Sequence, residues 1–224
     1  MSNGSLDKFL FHGNKILGFK KSHEIAVGTT KRIAYLHEEC QQQIVHYDIK
    51  PEKIVLDENF FPKVADFGLA KLFNRDKTHI SMTGFGMLLF EIIGRRRNLD
   101  DNLPESQDWF PRWGWKKFEA AELGELVLVC GIDEKDKEAA ERMLKVAICC
   151  VQYRPELRPL MSVVVKMLEG EIEIPRPSIN PIQYSFPGTL VMVSYSTSIF
   201  DTDTSQTATR VMNSSQTTTS VEGH

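Results

Sequence analysis

The apolar positions early in the chain recur at helical spacing. Ser22 stands where a helix N-cap belongs, and Ile25, Ile33 and Leu36 then keep to one face until about Glu39. Ile44-Val45 is a short apolar segment that leads into a polar loop. Ile54-Val55-Leu56 and Lys63-Val64-Ala65 read as two short strands around an Asp57-Glu58-Asn59 turn, with Pro62 at its far side. Phe85 to Ile93 is almost wholly apolar and stops at Gly94, which predicts a buried helix. Asp133 opens a further helix running through Gln152, with Ala140, Leu144, Ala147 and Val151 on one face. Ser162 opens the last, which carries Val164, Val165 and Leu168 and closes at Gly170. The stretch from Arg95 to Val129 is less regular, and Trp109, Trp113 and Trp115 are expected in loop and helix packing.

The pattern changes at about Pro175. Pro175, Pro177 and Pro181 break helices, and from Ser185 onward 17 of 40 residues are Ser or Thr. That composition predicts a disordered, solvated tail, with phosphorylation of the tail as the alternative. The remainder has an ordinary globular balance, with 42% hydrophobic and 25% charged residues in a chain of 224. A net charge of −3 gives no reason to expect nucleic acid or an anionic membrane as a partner. Cys40, Cys130, Cys149 and Cys150 form no Cys-x-x-Cys pair and read as reduced thiols of a cytosolic chain. The first residues lack the basic start and apolar run of a signal peptide. No run reaches the roughly 18 apolar residues that a membrane span requires. The expected location is therefore cytoplasmic. Without secretion, Asn3-Gly4-Ser5 and Asn213-Ser214-Ser215 are chance matches to the glycosylation pattern.

Chemistry concentrates between the first helix and the hairpin. His46-Tyr47-Asp48-Ile49-Lys50-Pro51 is followed, 18 residues after Asp48, by Asp66-Phe67-Gly68. A loop with an Asp and a Lys two residues on, then a hairpin, then Asp-Phe-Gly, resembles the catalytic and metal loops of eukaryotic protein kinases. MSNGSLDKFLF is similar to the start of the helix just after the hinge in plant receptor-like kinases, and HEIAVGTTKRIAYLHEECQQQIVHYDIKP resembles their rust-resistance, thaumatin-like branch. The resemblance covers residues 1 to 175. It implies an α+β kinase-like fold, reduced here to a mainly helical C-lobe with a short β-hairpin. It also implies phosphoryl transfer from ATP, with Mg2+, to protein Ser or Thr hydroxyls. Asp48 would accept the substrate proton, Lys50 would contact the transferred phosphate, and Asp66 would hold the metal. Lys-Pro after the Asp favours Ser/Thr over Tyr specificity. Tyr47 stands where many kinases have Arg, so the chain resembles those that depend less on an activation-loop phosphate.

The sequence also departs from that pattern. No Gly-x-Gly-x-x-Gly precedes the loop, and Gly84-Phe85-Gly86 fails because Leu89 stands in the third Gly register. Val146-Ala147-Ile148 is followed by Cys149 rather than by the strand lysine. The N-lobe is therefore expected to be absent. The family places a second metal ligand, an Asn, five residues after the catalytic Asp, and here that residue is Lys53. A protonated Lys is donor-only and repels a cation, and a Lys53 that merely faced solvent would remove the ligand just as well. No Ala-Pro-Glu occurs, Ser81 holds the register of an Asp that braces the loop, and an internal deletion is expected near residues 83–85. Arg158, in Glu156-Leu157-Arg158-Pro159, matches the Arg that pairs with the Glu of Ala-Pro-Glu in the family.

Removing one charge-stabilising group costs about 3–4 kcal/mol in other enzymes. Three such losses would be roughly 9 kcal/mol, or about six decades of rate, although such losses do not add strictly. The expected organisation is a kinase C-lobe over residues 1–175 and a tail over 176–224. Several readings stay open: a catalytically impaired Ser/Thr kinase fragment, a pseudokinase-type module that docks a kinase or substrate protein, a fragmentary gene product with no function of its own, and an active enzyme. Self-association of an uncovered surface is a further expectation.

Overall fold

Short strands and helices share the first third of the chain, and among the described residues the elements that follow are helical. The computed structural model describes residues 2–12, 16–73, 82–177 and 180–181. Ser81 and the Ser/Thr-rich stretch from Ser185 lie outside them. In order, the elements are β1 (Gly4–Ser5), α1 (Asp7–Leu10), α2 (Phe19–Ala34), β2 (Gln43–Val45), β3 (Ile54–Leu56), β4 (Pro62–Val64) and β5 (Lys71–Phe73). Then come α3 (Thr83–Gly94), α4 (Phe110–Glu119), α5 (Leu123–Val129), α6 (Lys137–Cys150) and α7 (Met161–Glu169). The sheets are small and antiparallel: β1-β3-β4 and β2-β5. The mainly helical α+β class with a short hairpin is as the sequence implies.

The centre of the core is α3. Phe85, Leu88, Leu89, Phe90, Ile92 and Ile93 are all at most 2% exposed, so the helix is buried around most of its circumference, as its largely apolar run predicts, with Met87 and Glu91 on the partly exposed strip. Each such buried side chain contributes about 1.5–3 kcal/mol of transfer free energy. Across from it, α6 buries Ala140, Leu144, Ala147 and Val151 just past its end. The two helices meet closely at Gly86. A Cβ there would lie 2.6 Å from Val151 Cγ1 and 3.0 Å from the carbonyl oxygen of Ala147. At the end of α3 the chain turns one residue later than Gly94 suggests: Arg95 takes the left-handed conformation at φ 50°, and its guanidinium donates to the Leu17 carbonyl at 2.6 Å.

Helix starts differ most from expectation. Ser22 is not a cap. The helix begins a turn earlier, at Phe19 behind an extended Gly18, and Ser22 is buried inside it at 2% exposure. Phe19 is buried on the same side, so packing of that ring adds the extra turn and overrides the local preference of Ser for a cap. At its other end α2 widens into a π-type turn, Tyr35–Glu39, ending where the periodicity stops. Asp133 leads into a short 3-10 turn, Glu134–Asp136, before α6 proper, and its carboxylate pairs with Lys135 at 3.0 Å. The last helix starts at Met161, and the N–H of Ser162 donates to Glu38 Oε1 at 2.9 Å. The cap thus comes from the end of α2 rather than from the helix itself. Gly170 closes α7 at φ 78° as expected. The irregular stretch resolves into a loop, through residue 109, followed by α4 and α5. In it, Trp113 and Trp115 are helical and Trp109 flanks the start.

α3 begins at Thr83 and runs unbroken through Phe85-Gly86, so the residues on both sides of the junction inferred near 83–85 share one helix. Among the described residues no helix is long and apolar enough to cross a membrane.

Candidate active site

Two antiparallel pairings bring the motif residues together. In the first, β2 ends at Val45 and pairs with β5, with Val45 opposite Lys71 and Gln43 opposite Phe73. This places the loop after β2, which carries Asp48 and Lys50, beside the turn before β5, which carries Asp66 and Phe67. In the second, Ile54 of β3 faces Val64 of β4. One step further out, the N–H of Ala65 donates to the Lys53 carbonyl at 2.8 Å. Lys53 and Asp66 therefore flank the open end of the same hairpin.

His46 joins the two loops. It is buried at 1% exposure. Its Nδ1 accepts the N–H of Asp48 at 3.3 Å, which leaves the proton on Nε2 to donate to the Ala65 carbonyl at 2.9 Å. Phe67 meets the imidazole edge-to-face at a centroid distance of 5.0 Å. Tyr47 and Asp66 both adopt left-handed backbone conformations, at φ 61° and 62°. For residues other than glycine this conformation costs about 1–2 kcal/mol each. Such strain persists where surrounding contacts over-determine it, and His46 supplies those contacts on both sides. Tyr47 is further held by Phe73, 6.2 Å away between ring centroids, and by the Lys71 ammonium over its ring at 5.8 Å.

Asp48 and Asp66 each meet an ammonium group carried by the loop after β2. Lys50 Nζ lies 2.9 Å from Asp48 Oδ1. Lys53 donates to Asp66 Oδ2, and the other Asp66 oxygen accepts the Gly68 N–H at 3.3 Å. The hydrogen bond to Asp66 holds the Lys53 ammonium above its ordinary range, with Asp48 and Glu52 adding to the effect. The same bond, followed by the Gly68 N–H, holds the Asp66 carboxyl below its own. Lys53 does not face open solvent, since only 23% of its side chain is exposed.

These residues do not fit the Mg2+ that the kinase resemblance implies. One oxygen of Asp66 faces an ammonium and the other a backbone N–H, and Lys53 offers no lone pair. Among the described residues no group of three or more His, Cys, Asp or Glu could hold a metal ion.

Residues 1–91 match the Protein kinase domain family. The chain is 38% identical over 207 residues to the G-type lectin S-receptor-like serine/threonine-protein kinase SD2-5 of Arabidopsis thaliana, a match covering 79% of this chain and 25% of that protein. The chain belongs to the protein kinase family. It is similar also to a probable LRR receptor-like serine/threonine-protein kinase of Arabidopsis thaliana, at 38% over 205 residues, covering 78% of this chain and 19% of that protein. Rust resistance kinase Lr10 of Triticum aestivum is 34% identical over 207 residues, covering 77% of this chain and 32% of that one. These relatives are plant receptor-like serine/threonine kinases, and this kinase-family chain spans about a quarter of the length of the first of them.

Asp48, Lys50, Lys53 and Asp66 fall on these two adjoining loops. Arg158 does not join them. Its Nε donates to the Gln152 carbonyl at 2.6 Å and its Nη2 to the Tyr153 carbonyl at 3.1 Å. The guanidinium that would meet a Glu in other kinases is therefore engaged by backbone oxygens here. His46 positions both loops, a role that the motif residues alone do not announce; its place two residues before Asp48 is the signal for it in the sequence.

Proposed function

We propose that this chain is a signalling-kinase C-lobe that transfers phosphate far below the family rate by itself and serves in receptor-like kinase signalling by binding a protein partner. In this reading Asp48 keeps the place of the base, Lys50 that of the phosphate contact and Asp66 that of the metal-loop acid. The observation that carries the proposal is Lys53. It stands where the second metal ligand belongs, and its ammonium is bonded to the acid that would supply the first. Loss of one charge-stabilising contact is commonly worth a factor of about 10²–10³ in turnover. ATP and Mg2+ are the family's cofactors.

The binding-module reading draws support from the stretch after Asp66. Phe67, Leu69 and Leu72 are 45%, 63% and 63% exposed, an unusual concentration of large apolar side chains at the surface. A kinase or substrate protein, or a second copy of the chain, is the proposed occupant, and a cytoplasmic location goes with that role.

The test is a phosphorylation assay on the purified chain with labelled ATP, Mg2+ and a generic Ser/Thr substrate, run beside Asp48→Asn. Equal, near-background signals are expected. Incorporation well above the Asp48→Asn control would overturn the impaired-kinase reading.

A further inference from the structure

We infer that the Lys53 ammonium is the resident cation of the Asp66 site, and that it closes the site to divalent metal ions. This rests on reading residues 46–66 as a kinase-type loop, but it concerns occupancy rather than catalysis.

The inference begins with the backbone. Lys53 is held at the mouth of the hairpin by two main-chain bonds: its N–H to the Lys50 carbonyl at 2.9 Å, and its carbonyl to the Ala65 N–H at 2.8 Å. Its Cα is therefore fixed next to the start of the Asp66 turn, and the side chain needs only to extend along the hairpin mouth to reach Oδ2. Asp66 is equally constrained, by its left-handed backbone and by Gly68 on Oδ1. Both backbones are thus set before the pair forms, so pairing has only the two side chains to order. A divalent ion approaching Asp66 would have to displace the ammonium, and would then sit beside it at short range. Charges of +2 and +1 repel at that range.

The tethered ammonium also takes over a structural task. It neutralises Asp66 and ties the turn after β4 to the turn before β3, which a bound cation would otherwise do by bridging. The geometry of the Asp66 turn is then independent of divalent ions. A neutral residue at position 53 would open the site.

The probe is Mn2+ alone, added to the full 15N-labelled chain, with paramagnetic broadening read at the amides of Phe67 and Gly68. In the wild type these amides should broaden no more than amides beside exposed carboxylates such as Glu138 and Glu171. In Lys53→Met and Lys53→Asn they should broaden at Mn2+ concentrations at least tenfold lower. Lys53→Met combined with Asp66→Asn should abolish the gain, and Lys53→Arg, which keeps charge and donors, should behave as wild type. Broadening in the wild type at the same Mn2+ concentration as in Lys53→Met, and lost in Asp66→Asn, would overturn the inference. So would a folded Lys53→Met that gains nothing. Should Lys53→Met not fold, the comparison of wild type with Asp66→Asn decides by itself. The outcomes separate from those of the phosphorylation assay. A wild type that transfers phosphate with no broadening sinks the functional reading alone, and one that binds Mn2+ without transfer sinks only this inference.

Discussion

A partly buried Glu91 and a buried His37 have effects on stability that oppose each other. Burial pushes the Glu91 carboxyl up from 4.5 to about 7, against the Asn98 N–H and the Arg97 charge, which favour the anion. Burial pulls His37 down from 6.5 to about 4, against the nearby Glu38. For Glu91 the folded state keeps a proton the unfolded chain has lost, so its contribution is whole below about 4.5 and falls as pH rises through about 7. For His37 the folded state refuses a proton the unfolded chain accepts, so its contribution is whole above about 6.5 and falls as pH drops towards 4. Between pH 4.5 and 6.5 the two slopes largely cancel. Glu91→Gln should therefore match the wild type near pH 4.5 and exceed it above pH 7 by on the order of 3 kcal/mol. Its own stability should then decline on acidification. Urea melts across that range check this, and a difference that did not change with pH would contradict it. At this scale the sequence shows which residue types stand at Asp48, Lys50, Lys53 and Asp66, because the motif spacing is fixed. It does not show that Lys53 reaches Asp66, because that depends on the hairpin register. Nor does it show that Arg158 finds carbonyls, because those lie on an irregular turn.

Elements were legible in proportion to how local their causes are. α3 follows from its largely apolar run, and the β3–β4 hairpin from its polar turn. The β2–β5 pairing was hidden because its strands are three residues each, with the whole hairpin between them. The early start of α2 was hidden because a ring packed elsewhere decides it. α3 and α6 offer a direct test of close packing. Gly86→Ala would gain about 1 kcal/mol of helix propensity. The new methyl would also meet Val151 Cγ1, Cys150 Cβ and the Ala147 carbonyl oxygen, each within 3.0 Å. The carbonyl belongs to the α6 backbone and cannot turn aside, and overpacking of this kind costs about 1–3 kcal/mol. The substitution should come out destabilising in a urea melt, and Val151→Ala in the same chain should recover part of the loss. A more stable Gly86→Ala would show that α3 and α6 can separate at little cost.

For the molecule as a whole, the exposed Phe67, Leu69 and Leu72 lie beside the candidate site, and self-association is the expected behaviour in isolation. Size-exclusion chromatography with light scattering in the micromolar range should find species larger than a monomer, and Leu69→Glu with Leu72→Glu should shift them to monomer. A wild type that stays monomeric would count against this face as a contact surface. Arg158 is held by the Gln152 and Tyr153 carbonyls and is not left as an uncompensated charge. The contact between Glu38 and Ser162 has a different consequence. These residues are 124 positions apart, and with Lys31 and Glu169 they fasten the chain's second helix to its last. The final helix has no start of its own, because the group that completes its first turn arrives from the front of the chain. The segment that closes α2 and the start of α7 are thus each other's clasp, and loosening either loosens the other.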